Sequence, residues 1–540
     1  MPIHPSLTHD VVIVGAGPVG LFLACELRLA GVSVAVLEQA ADPRSALKGP
    51  PFGIRGLSAP TLEALHRRGL LDAVKAAQLS KRSAGETMAA PHWMQQPRRP
   101  AGHFAGIQFF HEDIDAACLP FRLPSPAGVS MPVDMQSLEA VLAEWAVAMG
   151  ADIRRGSRVE HFDASRGGVV IQAGDERLSA LWLVGCDGGR SAVRKAGGFA
   201  FVGTDPEFTG YSVDAVLADP DALLPGRNYT ATGMYTYARP GVIAMVDFDG
   251  GAAHRTQALT LDHVQSVLRR VSGADVTLTA LNLATTWTDR AFQATDYRRG
   301  RVLLAGDAAH IHSPLGGQGL NLGLGDALNL GWKLAAVIRG EATIDLLDSY
   351  GVERRPEGAR ILDWSRAQVA LMRPTPSARA LETIVRDLIA TGDGATYFAE
   401  KIWNLSLRYD LGGGHPLVGR SVPDFAFTSG PSAGVRLREG RALLLDFAPG
   451  APLAALVAPW LGRLSYVAGE PEDRLGLSAV LVRPDGFVAW ASDEDGYAEG
   501  LLQALIRWGG AEPSSRRHEL GTVAEGGRRP VKQAGGCPVS

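Results

Sequence analysis

Residues 11–38 read VVIVGAGPVGLFLACELRLAGVSVAVLE. VVIVGAG is a short apolar, β-branched run, and LFLACELRLAG is a helical pattern closed by Gly31. VSVAVLE is a second apolar run of strand length. The unit is strand, turn, helix, strand. Gly15, Gly17 and Gly20 form G-x-G-x-x-G where the first strand meets the helix, with Pro18 inside the motif. The first glycine permits a tight turn, the second lets a pyrophosphate approach the backbone, and the third lets helix pack on strand. Glu38 ends the second strand, roughly 20 residues on, where an acid accepts hydrogen bonds from ribose hydroxyls. Both strands and the acid are in place, so the triplet reads as a dinucleotide site in a Rossmann-like α/β domain.

The rest of the chain agrees with an enzyme of that class. It has 540 residues, about three domains' worth, with 46% hydrophobic and 20% charged residues. A net charge of -4 argues against a nucleic-acid or anionic-membrane binder. Cys25, Cys118, Cys186 and Cys537 are scattered without a C-x-x-C pair, which favours a reducing compartment over a disulfide frame or zinc site. No basic leader opens the chain, and Glu26 and Arg28 interrupt the longest apolar run near the start. A cytoplasmic protein with no membrane partner is expected.

Two later segments look like returns to the first sheet. One is LSALWLVGCDGGRSAVRKAGG (178–198), and the other is GRVLLAGDAAHIHSPLGGQGLNLGLGDALNLGWKLAAVI (300–338). In the second, a buried-looking strand ends at Asp307. An unpaired buried carboxylate is costly, so Asp307 calls for a polyol or cation partner. A helix is expected to begin near Gly319, with Leu320 and Asn321 offering free N–H groups behind Gly317. Such a helix start would stabilise the anionic edge of a reduced flavin without a charged side chain. His310 and His312 form H-x-H, but no further ligand cluster stands at metal spacing. Hydrogen-bonded turn histidines are expected, and no metal.

Between the returns, TATGMYTYARPGVIAMVDFDGG (230–251) reads as two β-rich runs around the turn ARPG. Met234, Tyr235, Tyr237, Met245 and Phe248 are read as sheet core ahead of pocket lining. The expected organisation is an FAD-binding domain from 1–75, 103–190 and 286–372, and a substrate domain from 76–102 and 191–285. A helical linker (373–415), a small α/β domain (416–510) and a disordered tail (511–540) follow. Neither a second G-x-G-x-x-G after a strand nor a G-x-S-x-G elbow is present.

GAGPVG with Glu38, CDGGRSAVR, GDAAHIHSP and RGLSAPTLE together resemble the class A flavoprotein aromatic hydroxylases, the p-hydroxybenzoate hydroxylase type. The resemblance spans roughly residues 10–490 and is closest to the subgroup acting on phenols and aromatic polyketides. It implies a Rossmann-like FAD domain with an inserted antiparallel-sheet domain and a C-terminal thioredoxin-like domain. It implies FAD on Gly15, Gly17, Pro18, Gly20 and Glu38, with Asp187 and Arg194 tied to FAD and to nicotinamide handling. Asp307 falls on the ribityl chain and Pro314 beside the flavin ring. Arg55 falls near the pyrophosphate and flavin entrance, and Arg55 and Pro314 are the candidate catalytic positions.

The implied reaction uses NADPH or NADH, O2 and an aromatic substrate, and hydroxylates a phenolic ring through a flavin C4a-hydroperoxide. Baeyer–Villiger oxygenation on the same scaffold and a flavin-binding regulatory module without turnover are the alternatives. A monomer or homodimer is expected. The sequence departs from the family at Pro60–Thr61, where an Arg–Thr pair is usual. It departs again at Met135–Gln136, where Gln or Arg precedes LEAVL. The arginines of VERRPEG (352–358) are expected in surface or interdomain ion pairs.

Overall fold

The computed structural model describes residues 8–83, 98–120, 122–239, 241–494 and 498–510. The largest sheet is built on five parallel strands. Their order is Val302–Leu304, Glu176–Gly185, His9–Val14, Val34–Glu38 and Asp152–Arg155. Both expected returns are there: Val11 pairs with Trp182, and Leu183 with Val302. Val11, Val12, Ile13, Ala35 and Val36 are buried, as strands covered on both faces require. Helices Pro18–Leu29, Met135–Ala148 and Gln318–Ile338 pack in one layer on this core.

A second sheet is antiparallel, in the order Gly226–Tyr229, Gly233–Arg239, Val242–Asp247, Thr209–Leu217, Leu278–Thr288. The two runs expected around ARPG pair directly, Met234 with Val246 and Tyr235 with Met245. Helix Leu261–Ser272 covers one face. Its Val264, Val267, Leu268 and Val271 recur at helical spacing and meet Tyr211, Tyr235, Tyr237 and Met245. Burying each such side chain stabilises the layer by about 1.5–3 kcal/mol. Met234 and Phe248 belong to a different apolar cluster, with Phe208 and Trp287. All five residues weighed as pocket lining are thus packed in cores.

The C-terminal unit is a four-stranded sheet. Ala442–Asp446 runs parallel to Leu464–Ala468 and antiparallel to Ala479–Val482, which pairs with Val488–Ser492. Helix Leu501–Gly509 closes the βαβ–ββα pattern of a thioredoxin-like fold. Trp332 and Ala336 of Gln318–Ile338 enter its core, so it sits directly on that helix.

Two expected boundaries meet continuous packing. The one after residue 75 falls inside helix Leu71–Ser83, and the one after 190 precedes Ala192–Ala196, whose Val193 lies in the first core. Helical continuity and burial carry the first domain past both points. Within 373–415, helices Pro376–Ile389 and Gly392–Ile402 share a core with the hairpin Pro100–Phe104/Ile107–Phe110. Residues 84–97 and the expected tail 511–540 lie outside the described residues.

Candidate flavin site

The glycine turn is shaped by what a Cβ would strike. Gly15 has φ +105, and a Cβ there would lie 2.4 Å from the Cys186 carbonyl oxygen. One at Gly20 would lie 2.0 Å from the Gly15 oxygen. Gly17 differs, because its Cβ would meet nothing within 4 Å and would stand in open space. Pro18 begins the helix, where its fixed φ fits and no N–H is needed. Glu38 closes the turn from outside: Ala16 N and Ala40 N each donate to its carboxylate at 2.8 Å.

From this turn a cleft of about 1050 Å³ runs along the carboxyl ends of the parallel strands. Its wall includes Gly15, Gly17, Glu38, Asp187, Asp307 and Pro314, residues drawn from three distant parts of the chain. Asp187 Oδ2 accepts from Ala192 N at 2.6 Å and Val193 N at 3.1 Å, capping the short helix that follows. Its Oδ1 is buried without a partner among the described residues. Arg194 ties two sides of the cleft together. Its guanidinium donates to Gly189 O at 2.9 Å and Ala308 O at 3.0 Å, and lies 3.9 Å from the centre of the Phe201 ring. Burial depresses its pKa, against the pull of Asp187.

Several expectations at the far end are corrected. Asp307 is exposed to the cleft, because Gly306, at φ +61, turns the chain outward into the short 3-10 turn Gly306–Ala308. The buried acid is Asp326, one helical stretch later, at 0% exposure. The helix begins at Gln318. Free N–H groups therefore belong by position to Gln318, Gly319 and Leu320, while that of Asn321 closes the first turn on Gly317. Asn321 instead uses its side chain, donating to Gly56 O at 2.8 Å and accepting from Ser58 N at 2.9 Å.

Gly317, Gly319, Leu320 and Asn321 are not on the cleft wall; His312 is. A Cβ at Gly319 would come within 3.2 Å of His312 Nε2. His312 Nδ1 lies 2.7 Å from Ser313 O, so Nδ1 carries the hydrogen and Nε2 presents a lone pair toward the helix start. Burial lowers the pKa of this ring, against the Ser313 carbonyl and Asp307. Arg55 is also off the wall. Its Nη1 donates to Phe52 O and Ile54 O, and burial lowers its pKa against the attraction of Asp307.

Sequence reading missed the opposite wall. Trp287 and Thr288 of the antiparallel sheet face the strand ends, together with Arg190, Arg255 and Arg290. These three arginines have no ion pair or hydrogen bond among the described residues. Arg255 sits at φ +62 in a loop held by Asp249, which accepts from Thr209 N, Gly251 N and Ala253 N. Burial, then Arg255, Arg290 and Arg190, lower the pKa of neighbouring His254. The signal was a scatter of arginines across separate loops, which no local motif connects.

The residues present fit FAD. An elongated cleft begins at a glycine whose missing Cβ leaves room for a phosphate, and passes a buried, unpartnered carboxylate oxygen. It ends at a second acid and a proline. A Rossmann-like domain carrying this cleft under an antiparallel sheet defines an FAD flavoprotein. A family profile described as FAD binding domain matches residues 8–365, and one for the aromatic-ring hydroxylase C-terminal region matches 415–512. The chain belongs to the FAD-dependent aromatic-ring hydroxylase family, and it is an FAD-dependent monooxygenase.

It is 44% identical over 515 residues to a monooxygenase of Claviceps purpurea, covering 94% of this chain and 98% of that one. It is 37% identical over 514 residues to the rifampicin monooxygenase of Streptomyces venezuelae, covering 93% and 99%. Among solved structures, the anhydrotetracycline hydroxylase OxyS from Streptomyces rimosus superposes with a TM-score of 0.79 at 35% identity, covering 93% and 99%. Among the described residues, no helix is long and apolar enough to cross a membrane.

Proposed function

We propose that this monooxygenase hydroxylates a multi-ring phenol of the polyketide type, with NAD(P)H as reductant. The observation carrying the proposal is the single cleft that joins the Gly15–Gly20 turn to Asp307 and Pro314 beneath the antiparallel sheet. Relatives that act on rifampicin and anhydrotetracycline support the substrate class. The bound FAD supplies the redox and oxygen-transfer chemistry, and the chain supplies binding, orientation and exclusion of water. Gly17 admits the pyrophosphate, Glu38 receives a ribose, Asp307 holds the ribityl chain and Pro314 borders the ring. Arg55 stays behind that end as a fixed positive charge.

Arg190, Arg255 and Arg290 receive the phosphates of the nicotinamide cofactor. Three uncompensated guanidiniums on one wall suit an anion that comes and goes. No protein nucleophile is required.

The test is substrate-stimulated NADPH oxidation by the FAD-loaded protein, with anhydrotetracycline and rifampicin as probes under 18O2. One 18O on an aromatic carbon is the expected product. A lactone without ring hydroxylation would move the assignment to Baeyer–Villiger chemistry. Protein that binds FAD but never consumes NADPH, with or without those probes, would leave a flavin-binding module.

A further inference from the structure

We propose that the C-terminal domain is a working part of the flavin site. Tyr409 and Arg483 position the Asp307 turn through a buried spine of charged side chains, and so set the affinity for FAD. The inference rests on the reading of Asp307 as an FAD contact.

The spine starts at the turn itself. Gly306 N donates to Asp326 Oδ2 at 3.0 Å, and His310 Nε2 lies 2.7 Å from the same oxygen. Asp326 therefore grips both ends of the segment that carries Asp307. Its other oxygen accepts from Arg354 Nε at 2.8 Å. Arg354 then donates to Leu322 O and to the Tyr409 hydroxyl, each at 2.8 Å. Asp326 and Arg354 are 0% and 2% exposed, so these bonds have no solvent substitute.

A second set of bonds continues from the next residue. Glu353 accepts from Arg483 at 3.0 and 2.8 Å, and from Lys333 at 2.8 Å. Arg483 also pairs with Asp485, which accepts from Trp332 Nε1 at 3.1 Å. Asp326, Asn329 and Lys333 lie on one face of the helix that starts at Gln318. The face is polar from the Asp307 turn to the C-terminal sheet.

Tyr409 joins the two sets. The guanidinium of Arg354 lies 5.9 Å from the centre of its ring and that of Arg483 lies 5.6 Å away, while Phe487 packs on it at 4.4 Å. Tyr409 N also donates to Gly419 O, and Gly419 N to Val488 O, which fastens this strap to the C-terminal sheet. Arg354 is thus aimed by a residue strapped to the C-terminal unit, and Asp326 by Arg354.

Tyr409→Phe deletes only the hydroxyl that Arg354 reaches. Tyr466→Phe is its control, because Tyr466 donates to Asp446 at 2.7 Å within the C-terminal sheet and outside the spine. Full-length protein is measured two ways: by hydrogen exchange of the Gly306–His310 segment without added FAD, and by FAD affinity from flavin fluorescence. With Tyr409→Phe, exchange there rises and FAD binding weakens, each about fivefold to tenfold. Tyr466→Phe moves neither by more than about twofold. Unchanged exchange in Tyr409→Phe, or equal shifts in Tyr466→Phe, would overturn the proposal.

Asp307→Ala separates the proposal from the reading beneath it. If Asp307→Ala weakens FAD and Tyr409→Phe does not, the spine fails. If exchange rises but neither variant changes FAD affinity, the link to FAD fails because Asp307 is not a contact. Should Tyr409→Phe not fold, Arg483→Lys, which loses the paired bonds to Glu353, carries the same expectations.

Discussion

The two ends of the cleft are held by opposite means. At the Gly15–Gly20 turn the glycines work by excluding side chains, and the carboxylate of Glu38 closes the turn from outside. At the Asp307 turn the backbone is held by buried ions reaching from other helices: Asp326, Arg354 and Arg194. The first end is rigid by sterics, its glycines gathered in one short turn although the Cys186 backbone supplies the wall that Gly15 meets. The second is non-local, and its stiffness depends on every ion keeping its partner. One cofactor site can therefore fail in two distinct ways.

The largest effect should come from the glycine end. Gly20→Val places carbon within 2.0 Å of the Gly15 oxygen, so the turn cannot form. The expected outcome is loss of soluble, FAD-binding protein, read from expression and flavin absorbance. Asp326→Asn breaks the ionic end. It leaves Arg354 with an uncompensated buried charge, at a cost of about 3–5 kcal/mol in denaturant unfolding. If Asp326→Asn proved neutral, the contrast between the two ends would collapse.

Glu353 makes the ionic end sensitive to acid. Burial favours its neutral form, but Arg483 and Lys333 overcome this and hold its carboxyl at about 2, below the ordinary 4.5. A folded pKa below the unfolded one stabilises the protein above the unfolded value. That stabilisation, on the order of 3 kcal/mol, drains as pH falls from about 4.5 to about 2. Denaturation midpoints between pH 5 and 3 should fall in the wild type and flatten in Glu353→Gln.

Gly17→Ala is gentler, because its methyl group meets only open space. Fold stability should stay within about 1 kcal/mol, while FAD binding weakens about tenfold as the methyl enters phosphate space. The smallest effect belongs to Arg255→Ala: KM for NADPH rises about fivefold, less so at high salt, and FAD binding is unchanged.

The same contrast explains what was legible. The glycine turn, Glu38 and the two returning strands could be read because each feature lies within a few residues of its cause. Asp307 was read as a buried acid at a strand end, but the left-handed Gly306 turns it outward to the cleft. The helix start was read nearly to the residue, yet Asn321 bonds strand Ile54–Ser58 through its side chain, a contact 263 positions away. The arginines of VERRPEG were read as surface or interdomain pairs, and Arg355 is exposed. Glu353 does pair across the domains with Arg483, but Arg354 is in the core. Glu26, taken only as a break in an apolar run, is buried against Arg68 at 2.7 and 2.8 Å. Long-range partners of this kind leave no periodicity to find.

Cys186 lines the cleft beside Asp187. Burial, and then the carboxylates of Asp187 and Asp326, push its thiol well above the ordinary range. Burial likewise raises the thiol of Cys25, in the core behind the glycine turn. Oxidation of sulfur by peroxide proceeds through the thiolate. Cys186 stands on the cleft wall, so peroxide escaping from a flavin there would meet a thiol held in its unreactive form. The wall that shapes the cofactor site thereby also protects the enzyme from its own waste.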